Sequence, residues 1–251
     1  MKTKQWFLPS VFMVFVLFMW ECSVRIFEIP LFILPAPTAI VKAMMECAPE
    51  LMKHSLVTLQ EALIGLGLAF GLALVLGICM DLSKTIKRTI FPHLVISQTI
   101  PVMVLGPLFS IWFGFGMTPK VLMVIFMCFF PIVISFSDAL AQVDEKKVHL
   151  LKSFGASTWQ IYSFCKIPSA ASALFSGLKV AASYCIGGAI VGEWLSASAG
   201  LGYYMLRLKN GYMLDKVFAC VIVIIIFSLL LNLMVNLIEY VCFPHRSKKG
   251  R

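Results

Sequence analysis

The stretch LVTLQEALIGLGLAFGLALVLGICM, residues 56–80, holds a single charged residue, Glu61, in an otherwise apolar run. A helix of about 20 mostly apolar residues is long enough to cross the hydrocarbon core of a bilayer. Because lipid offers the backbone no hydrogen-bond partners, such a segment crosses as an α-helix. This stretch therefore predicts a membrane-spanning helix.

The composition of the whole chain agrees with that stretch. Of the 251 residues, 60% are hydrophobic and 13% are charged, whereas soluble domains carry about 25% charged residues. The net charge of +9 comes from basic residues that flank apolar runs, so it favours membrane topology over nucleic-acid binding. We expect an all-α membrane protein of the plasma (inner) membrane, with no nucleic-acid partner.

Six stretches are apolar enough to span. They are residues 6–20, 56–80, 91–113, 121–136, 174–195 and 217–238. With the N-terminus inside, thirteen of the 21 lysines and arginines fall in inner segments and seven in outer ones, with Lys179 inside the fifth span. Since cytoplasmic loops are enriched in these residues, both termini are predicted to be cytoplasmic.

Three regions follow from this topology. Residues 1–55 hold the first span and an outer amphipathic helix predicted over 40–53. Residues 56–240 form a five-helix core with a structured cytoplasmic loop at 137–173, and residues 241–251 form a basic tail. Within the loop, a turn at Gly155 is expected to separate two short helices, and the second is expected to end at Pro168.

Sequence motifs for enzyme chemistry are absent. The sequence has no GxxxxGK[ST], HExxH or GxSxG motif, and its four histidines are scattered. These patterns predict no nucleotide, metal or catalytic site in this chain. Glu61 is interpreted as an interfacial carboxylate that reaches water. Its alternative is the functional carboxylate of an ion-coupled carrier.

The cytoplasmic stretch from His149 to Gly155 resembles the coupling loop of ABC-importer permeases. That loop has the pattern Glu-Ala-Ala-x-x-x-Gly, followed by nine residues, an apolar residue and Leu-Pro. Gly155 and Pro168 stand in the matching register, whereas His149, Leu150 and Leu151 occupy the Glu-Ala-Ala positions.

Further motifs are similar to one branch of this superfamily, which moves sulfonates, taurine, nitrate and pyrimidine precursors of thiamine. They are Leu34-Pro-Ala-Pro37, Ser97-Gln-Thr-Ile-Pro101, Gly106-Pro-Leu108, Trp112-Phe-Gly-Phe-Gly116, Ser176-Gly-Leu-Lys179, Val191-Gly-Glu-Trp194 and Gly200-Leu-Gly202. The stretch from Leu206 to Phe218 looks most like members that move the pyrimidine precursors, which makes these the first expected substrate.

The resemblance implies the permease subunit of a type I ABC importer. It implies a separate ATPase that binds ATP and Mg²⁺, an extracytoplasmic substrate-binding protein, and a second permease copy that forms a homodimer in the lipid bilayer. In this family the cytoplasmic loop docks on the ATPase, and its alternative here is an ordinary interfacial helix pair. The residues matched to docking are His149, Leu150, Leu151, Ser153, Gly155, Ala156, Ser157 and Pro168.

Polar residues beside a helix break predict a wall of the translocation path. Pro101 removes a backbone hydrogen bond within the third span, and Gln98 and Thr99 lie just before it. Tyr184, in the fifth span, and Glu193, in the outer loop, complete the candidate set. Glu193 has the alternative role of anchoring the outer loop.

Small and amide residues predict contacts between helices. Gly67 and Gly71 form a GxxxG pair that Gly77 extends, which predicts a seam that is either static or slides during transport. Asn232 and Asn236 are expected to make interhelical hydrogen bonds, with substrate contact as the alternative. An ion-coupled secondary carrier and a membrane assembly protein remain as functions of other classes.

Overall fold

The chain folds entirely into helices within residues 3–243, the part that the computed structural model describes. The helices are α1 Thr3–Ile26, α2 Pro37–Glu46, α3 Ala48–Leu82, α4 Lys84–Ser97, α5 Val102–Phe113, α6 Met117–Ala141, α7 Glu145–Ser153, α8 Thr158–Ile161, α9 Ile167–Ser196, α10 Leu201–Asn210 and α11 Leu214–Cys242. A π-helical turn, Tyr162–Lys166, joins α8 directly to α9. Residues 244–251 of the basic tail lie outside the described residues.

The apolar helices confirm the predicted fold class. Five of the described helices are long and apolar enough to cross a membrane: α1, α3, α6, α9 and α11. The pair α4 and α5 passes the same test together, which gives up to six spans. The cytoplasmic location of both termini and the three proposed regions stay predictions.

The predicted third span is broken rather than continuous. Helices α4 and α5 meet at an angle of 102°. Pro101 has no N–H to donate and lies in extended backbone at the start of α5. The residue before a proline is also disfavoured in the helical region, so α4 ends before the turn. A single helix over 91–113 was therefore the wrong prediction.

The outer amphipathic helix predicted over 40–53 is also wrong in its bounds. Helix α2 ends at Glu46, and residues 48–53 begin the long helix α3. Proline at the start of each helix explains the division, because proline is well tolerated in the first turn. Ile40 and Ala43 are buried, so α2 packs against the bundle.

Pro168 does not end the docking segment as predicted. Continuous helix runs through it from Thr158 to Leu195. The turn before it is π-helical, and the N–H of Ile167 reaches the carbonyl of Tyr162, five residues back. Pro168 then falls in the first turn of α9, where its missing N–H is tolerated.

The core of the bundle lies between α3, α6 and α9. Helix α6 is the central element, since its most extensive contacts are with α9 and α3. Its buried side chains include Cys128, Ile132, Val133 and Phe136. Helix α1 is peripheral, because only 6% of its apolar window is buried inside the chain.

Small residues allow the close approach of these helices, but on a different face of α3 than predicted. A side chain at Gly65 would meet Val124, and one at Gly77 would meet Phe136, both on α6. Gly67 and Gly71 are exposed, and nothing lies within 4 Å of the space that a side chain would fill. Within the chain, Gly65 and Gly77 thus face α6, whereas Gly67 and Gly71 face open space, and the role of the GxxxG pair stays a prediction.

Gly77→Val is expected to destabilise the bundle by about 1–3 kcal/mol, the usual cost of overpacking a core. The added Cβ would lie 2.6 Å from the ring of Phe136, so one helix must shift. The measurement is the free energy of unfolding in detergent. Gly71→Val is the matched control, with the same change in helix propensity and open space around it. Equal losses in both variants would contradict the proposed packing.

Candidate coupling segment and translocation path

Residues 142–166, named the coupling segment below, form a helical hairpin after α6. Asp144 caps α7, and Ser157 and Gln160 form a reciprocal capping box at α8. Between them, Gly155 has a φ of +80°, a conformation that favours glycine. The N–H groups of Gly155 and Ala156 bond to the carbonyls of Lys152 and Leu151 at 2.9 and 3.0 Å, which closes α7 with a Schellman motif.

The surface of the coupling segment carries large exposed apolar side chains. Phe154 is 80% exposed and Trp159 is 76% exposed, and Leu150 is exposed beside them. Among the predicted docking residues, those at the surface are His149, Leu150, Ser153, Gly155 and Ser157, while Leu151 and Ala156 are half-buried. Exposed apolar patches of this kind mark contacts with partners.

One carboxylate of α3 binds the C-terminal end of the coupling segment. Asp81, in the last turn of α3, accepts hydrogen bonds from the hydroxyl of Tyr162 and from Nζ of Lys166, each at 2.5 Å. Both donors lie in the π-helical turn. These two bonds tie the π-helical turn to the last turn of α3.

Two of the predicted path residues line a common cavity. Gln98 and Tyr184 border a space of about 290 Å³ at the bend between α4 and α5. The rest of its lining is apolar: Val102, Phe126, Met127, Phe130 and Pro131. Two of these rings, Phe126 and Phe130, stand edge to face, 5.0 Å apart. This cavity can hold a small planar molecule and offers one amide.

The other predicted path residues do not line that cavity. Thr99 Oγ1 donates to the carbonyl of Ile96 at 2.7 Å, and Pro101 forms the bend itself. Glu193 lies in the last turn of α9 and lines a different space, with Trp194 and Tyr203. These two residues of the bend shape the cavity wall without facing the cavity.

Glu193 is buried in a polar network at the opposite end of the bundle from the coupling segment. Its Oε1 accepts from the hydroxyl of Thr58 at 2.6 Å, and its Oε2 accepts from the N–H of Gly202 at 2.5 Å. Thr58 Oγ1 in turn accepts from the N–H of Leu201, and His54 Nδ1 accepts from that of Gly200. Three N–H groups at the start of α10 are thus held by side chains, which is the anchoring role considered for Glu193.

Glu61 is not an interfacial carboxylate as predicted. It is 1% exposed and accepts a hydrogen bond from Nζ of Lys120 at 2.8 Å. Lys120 is itself buried, in the first turn of α6. A buried charge needs a partner, and here the partner comes from a residue 59 positions away. The ion pair therefore joins α3 to α6.

Hydrogen bonds between α9 and α11 confirm one of the asparagine predictions. Asn232 Nδ2 donates to Oγ of Ser183 at 2.9 Å across the two helices. Asn236 instead donates to the carbonyl of Asn232 in its own helix. Lys179 pairs with Glu239 at 2.5 Å, so the same two helices are also joined near the C-terminal end of α11.

Several functional contacts were missed in the sequence. His54, Thr58 and Glu61 recur at helical spacing on one face of α3, a signal that could have placed them together. No comparable signal pairs Asp81 with Tyr162, because they lie 81 residues apart. Among the described residues, no three histidine, cysteine or acidic side chains lie close enough to hold a metal ion.

Comparison with known sequences covers nearly the whole chain. Residues 65–244 match the family described as "Binding-protein-dependent transport system inner membrane component". A probable ABC transporter permease protein of Haemophilus influenzae is 32% identical over 91% of this chain and 93% of its own length. The formylaminopyrimidine transport permease protein ThiX of Halalkalibacterium halodurans is 32% identical over 96% of each chain.

Comparison with solved structures supports the same fold. A chain of the MetNI methionine ABC transporter in an inward-facing conformation matches with a TM-score of 0.65 at 16% identity. The match covers 83% of this chain and 98% of that one. At this identity the likeness concerns the fold, which is that of a type I importer permease.

Proposed function

This chain belongs to the family of binding-protein-dependent transport system inner membrane components, and on that premise we propose that it imports a pyrimidine precursor of thiamine. It is a multi-pass transport subunit of the inner membrane and not an enzyme. ATP hydrolysis belongs to a separate subunit of the importer, and a binding protein delivers the substrate. The ion-coupled carrier and the assembly protein considered from the sequence are set aside.

The single observation that carries the substrate proposal is the chemistry of the Gln98–Tyr184 cavity. No charged side chain lines it. Lys120 and Lys179, which enter the bundle from α6 and α9, are already paired with carboxylates. A sulfonate, taurine or nitrate ion would lose its hydration there without gaining a cation.

A pyrimidine suits the same cavity. Its ring can stack on or pack edge to face with Tyr184, Phe126 and Phe130, as aromatic pairs do. The amide of Gln98 can both donate to and accept from the ring nitrogens and substituents. A relative that is 32% identical is named as a formylaminopyrimidine permease, which supports this substrate class.

The coupling segment is proposed as the docking site for the ATPase, which would bind ATP and Mg²⁺. Its exposed apolar side chains, Phe154, Trp159 and Leu150, would be covered by that partner. Closure of the ATPase would then move the hairpin, and Asp81 would pass the movement to α3 through Tyr162 and Lys166. The chain thus supplies the path and the lever, and the ATPase supplies the energy.

A homodimer in the membrane would complete the path. The cavity opens to the side of the single bundle, and Tyr184 at its edge is 53% exposed. A second copy facing this side would close the cavity from the membrane, since a polar substrate cannot cross while it is open to lipid. Lipid would cover the remaining apolar faces, including that of α1.

Gln98→Leu is expected to reduce uptake of formylaminopyrimidine about tenfold, the effect of losing one hydrogen bond in a site that a second copy would enclose. The measurement is the initial rate of labelled uptake into cells that express the chain with its ATPase and binding protein. Gln60→Leu is the control, because Gln60 is exposed on α3 and does not line the cavity. Uptake that taurine or an alkanesulfonate blocks as well as the pyrimidine does would refute the substrate.

A further inference from the structure

A second, basic cavity lies beneath the coupling segment. It has a volume of about 360 Å³ and is formed by the ends of α3, α4 and α6 together with α7. Its polar lining consists of four lysines, one histidine and two acids: Lys84, Lys87, Lys152, Lys166, His149, Asp81 and Glu145. This cavity shares His149 with the predicted docking residues, but it does not line the Gln98–Tyr184 cavity.

Three of the four lysines have no acidic partner among the described residues. Lys166 is neutralised by Asp81. Lys84, Lys87 and Lys152 make no salt bridge in residues 3–243, although Lys87 also lies 5.7 Å from the ring centre of Phe91. The cavity therefore holds an excess of positive charge in a concave space, which attracts an anion.

An apolar cleft is lined by three of the helices that also line the basic cavity: α3, α4 and α6. The cleft has a volume of about 540 Å³ and is lined by α3, α4, α5 and α6. Leu72 and Leu76 line the cleft and Met80 lines the basic cavity, at a spacing of four residues along α3. On α4, Lys87 lines the basic cavity and Leu94, seven residues later, lines the cleft. A ligand that fills both spaces has an anionic head and an apolar tail.

We propose that this paired cavity binds an anionic phospholipid, with its phosphate among Lys84, Lys87 and Lys152 and an acyl chain in the cleft. Lys84 lies two residues beyond the end of the membrane-spanning helix α3, where the chain leaves its apolar run. Basic pockets between membrane helices on the cytoplasmic side bind such headgroups. The cytoplasmic location of this one rests on the proposed docking of the coupling segment.

Bound lipid would affect transport by holding the coupling segment in place against the membrane helices. The headgroup would contact both the end of α4 and Lys152 in the last turn of α7. It would thus bridge the membrane helices and the segment that docks the ATPase. Free inorganic phosphate shares the anionic head but cannot fill the cleft, so the apolar cleft favours lipid as the source.

The test is the binding of phosphatidylglycerol to the purified full chain, titrated in detergent and followed by native mass spectrometry. Lys84→Gln with Lys152→Gln is expected to weaken binding roughly twenty-five-fold, about five-fold for each lysine near a membrane surface. Lys146→Gln with Lys147→Gln is the control. It also removes two positive charges, but from residues of α7 that do not line the cavity. Phosphatidylcholine should bind weakly to all three chains.

The proposal is overturned if the cavity variant retains phosphatidylglycerol as the control variant does, or if phosphatidylcholine binds equally well. Leu76→Trp, which fills the cleft without changing charge, is expected to weaken lipid binding as well. Displacement of the lipid by inorganic phosphate at the same concentration would assign the site to a free anion and refute the lipid. Since the readout is binding by the chain alone, its failure is distinct from failure of transport.

Discussion

Gly155→Trp is expected to abolish capture of the ATPase by this permease, at least tenfold below the unchanged chain. Gly155 has a φ of +80°, where any other residue is strained by about 1–2 kcal/mol. An indole at this turn would also project from the surface between Leu150 and Trp159, where the partner must approach closely. The measurement is the amount of ATPase that co-purifies from membranes in mild detergent.

Gly114→Trp is the matched control for this experiment. Gly114 has a φ of +79°, nothing lies within 4 Å of the space that its side chain would fill, and it lies at the opposite end of α6 from the coupling segment. Both variants therefore strain the backbone and add the same bulk, and Gly114, with a ψ of −170°, is at least as strained as Gly155. Equal recovery of ATPase with both would show that the segment around Gly155 is not the docking site, while the family assignment would stand.

Lys120→Met is expected to cost about 3–5 kcal/mol of stability, the usual effect of leaving a buried carboxylate without its partner. Glu61 is 1% exposed, and the ammonium group of Lys120 is its salt-bridge partner at 2.8 Å, while the carboxyl group of Glu193 lies beside it. Removal of the ammonium group leaves that charge uncompensated between α3 and α6. The measurement is the free energy of unfolding in detergent.

The double variant Glu61→Leu with Lys120→Met separates charge from packing. Replacement of a whole buried ion pair by apolar residues of similar size is often neutral or stabilising. The double variant is therefore expected to recover most of the loss caused by Lys120→Met. A double variant as unstable as the single one would mean that the side-chain stem of Lys120, rather than its charge, holds the helices together.

Errors in the prediction from sequence share a physical origin. Hydropathy located the apolar runs, but it could not show that Pro101 bends the third span by 102° while Pro168 sits inside a continuous helix. The difference depends on where the missing N–H falls. Pro168 stands in a first turn whose backbone continues from a π-helical turn, whereas Pro101 stands in extended backbone before α5, after α4 has ended at Ser97.

The glycines of α3 give the same lesson at the level of packing. The GxxxG spacing of Gly67 and Gly71 predicts a contact. Gly65 and Gly77 belong to a second row of small residues that has the same four-residue spacing. Only the rotation of α3 against α6 decides which face is covered. In the folded chain, Gly65 and Gly77 face α6, while Gly67 and Gly71 stay open.

The sequence by itself determined the class of this protein. Apolar runs of sufficient length require helices in lipid, and the register of Gly155 and Pro168 is sufficient to suggest the family. Only the tertiary structure decided which polar groups meet: Glu61 with Lys120, and Glu193 with Thr58 across 135 residues. A buried charge has no water to solvate it and is stable only beside a polar partner. Helix packing decides which partner lies close enough, and the separation of two residues in the sequence does not predict it.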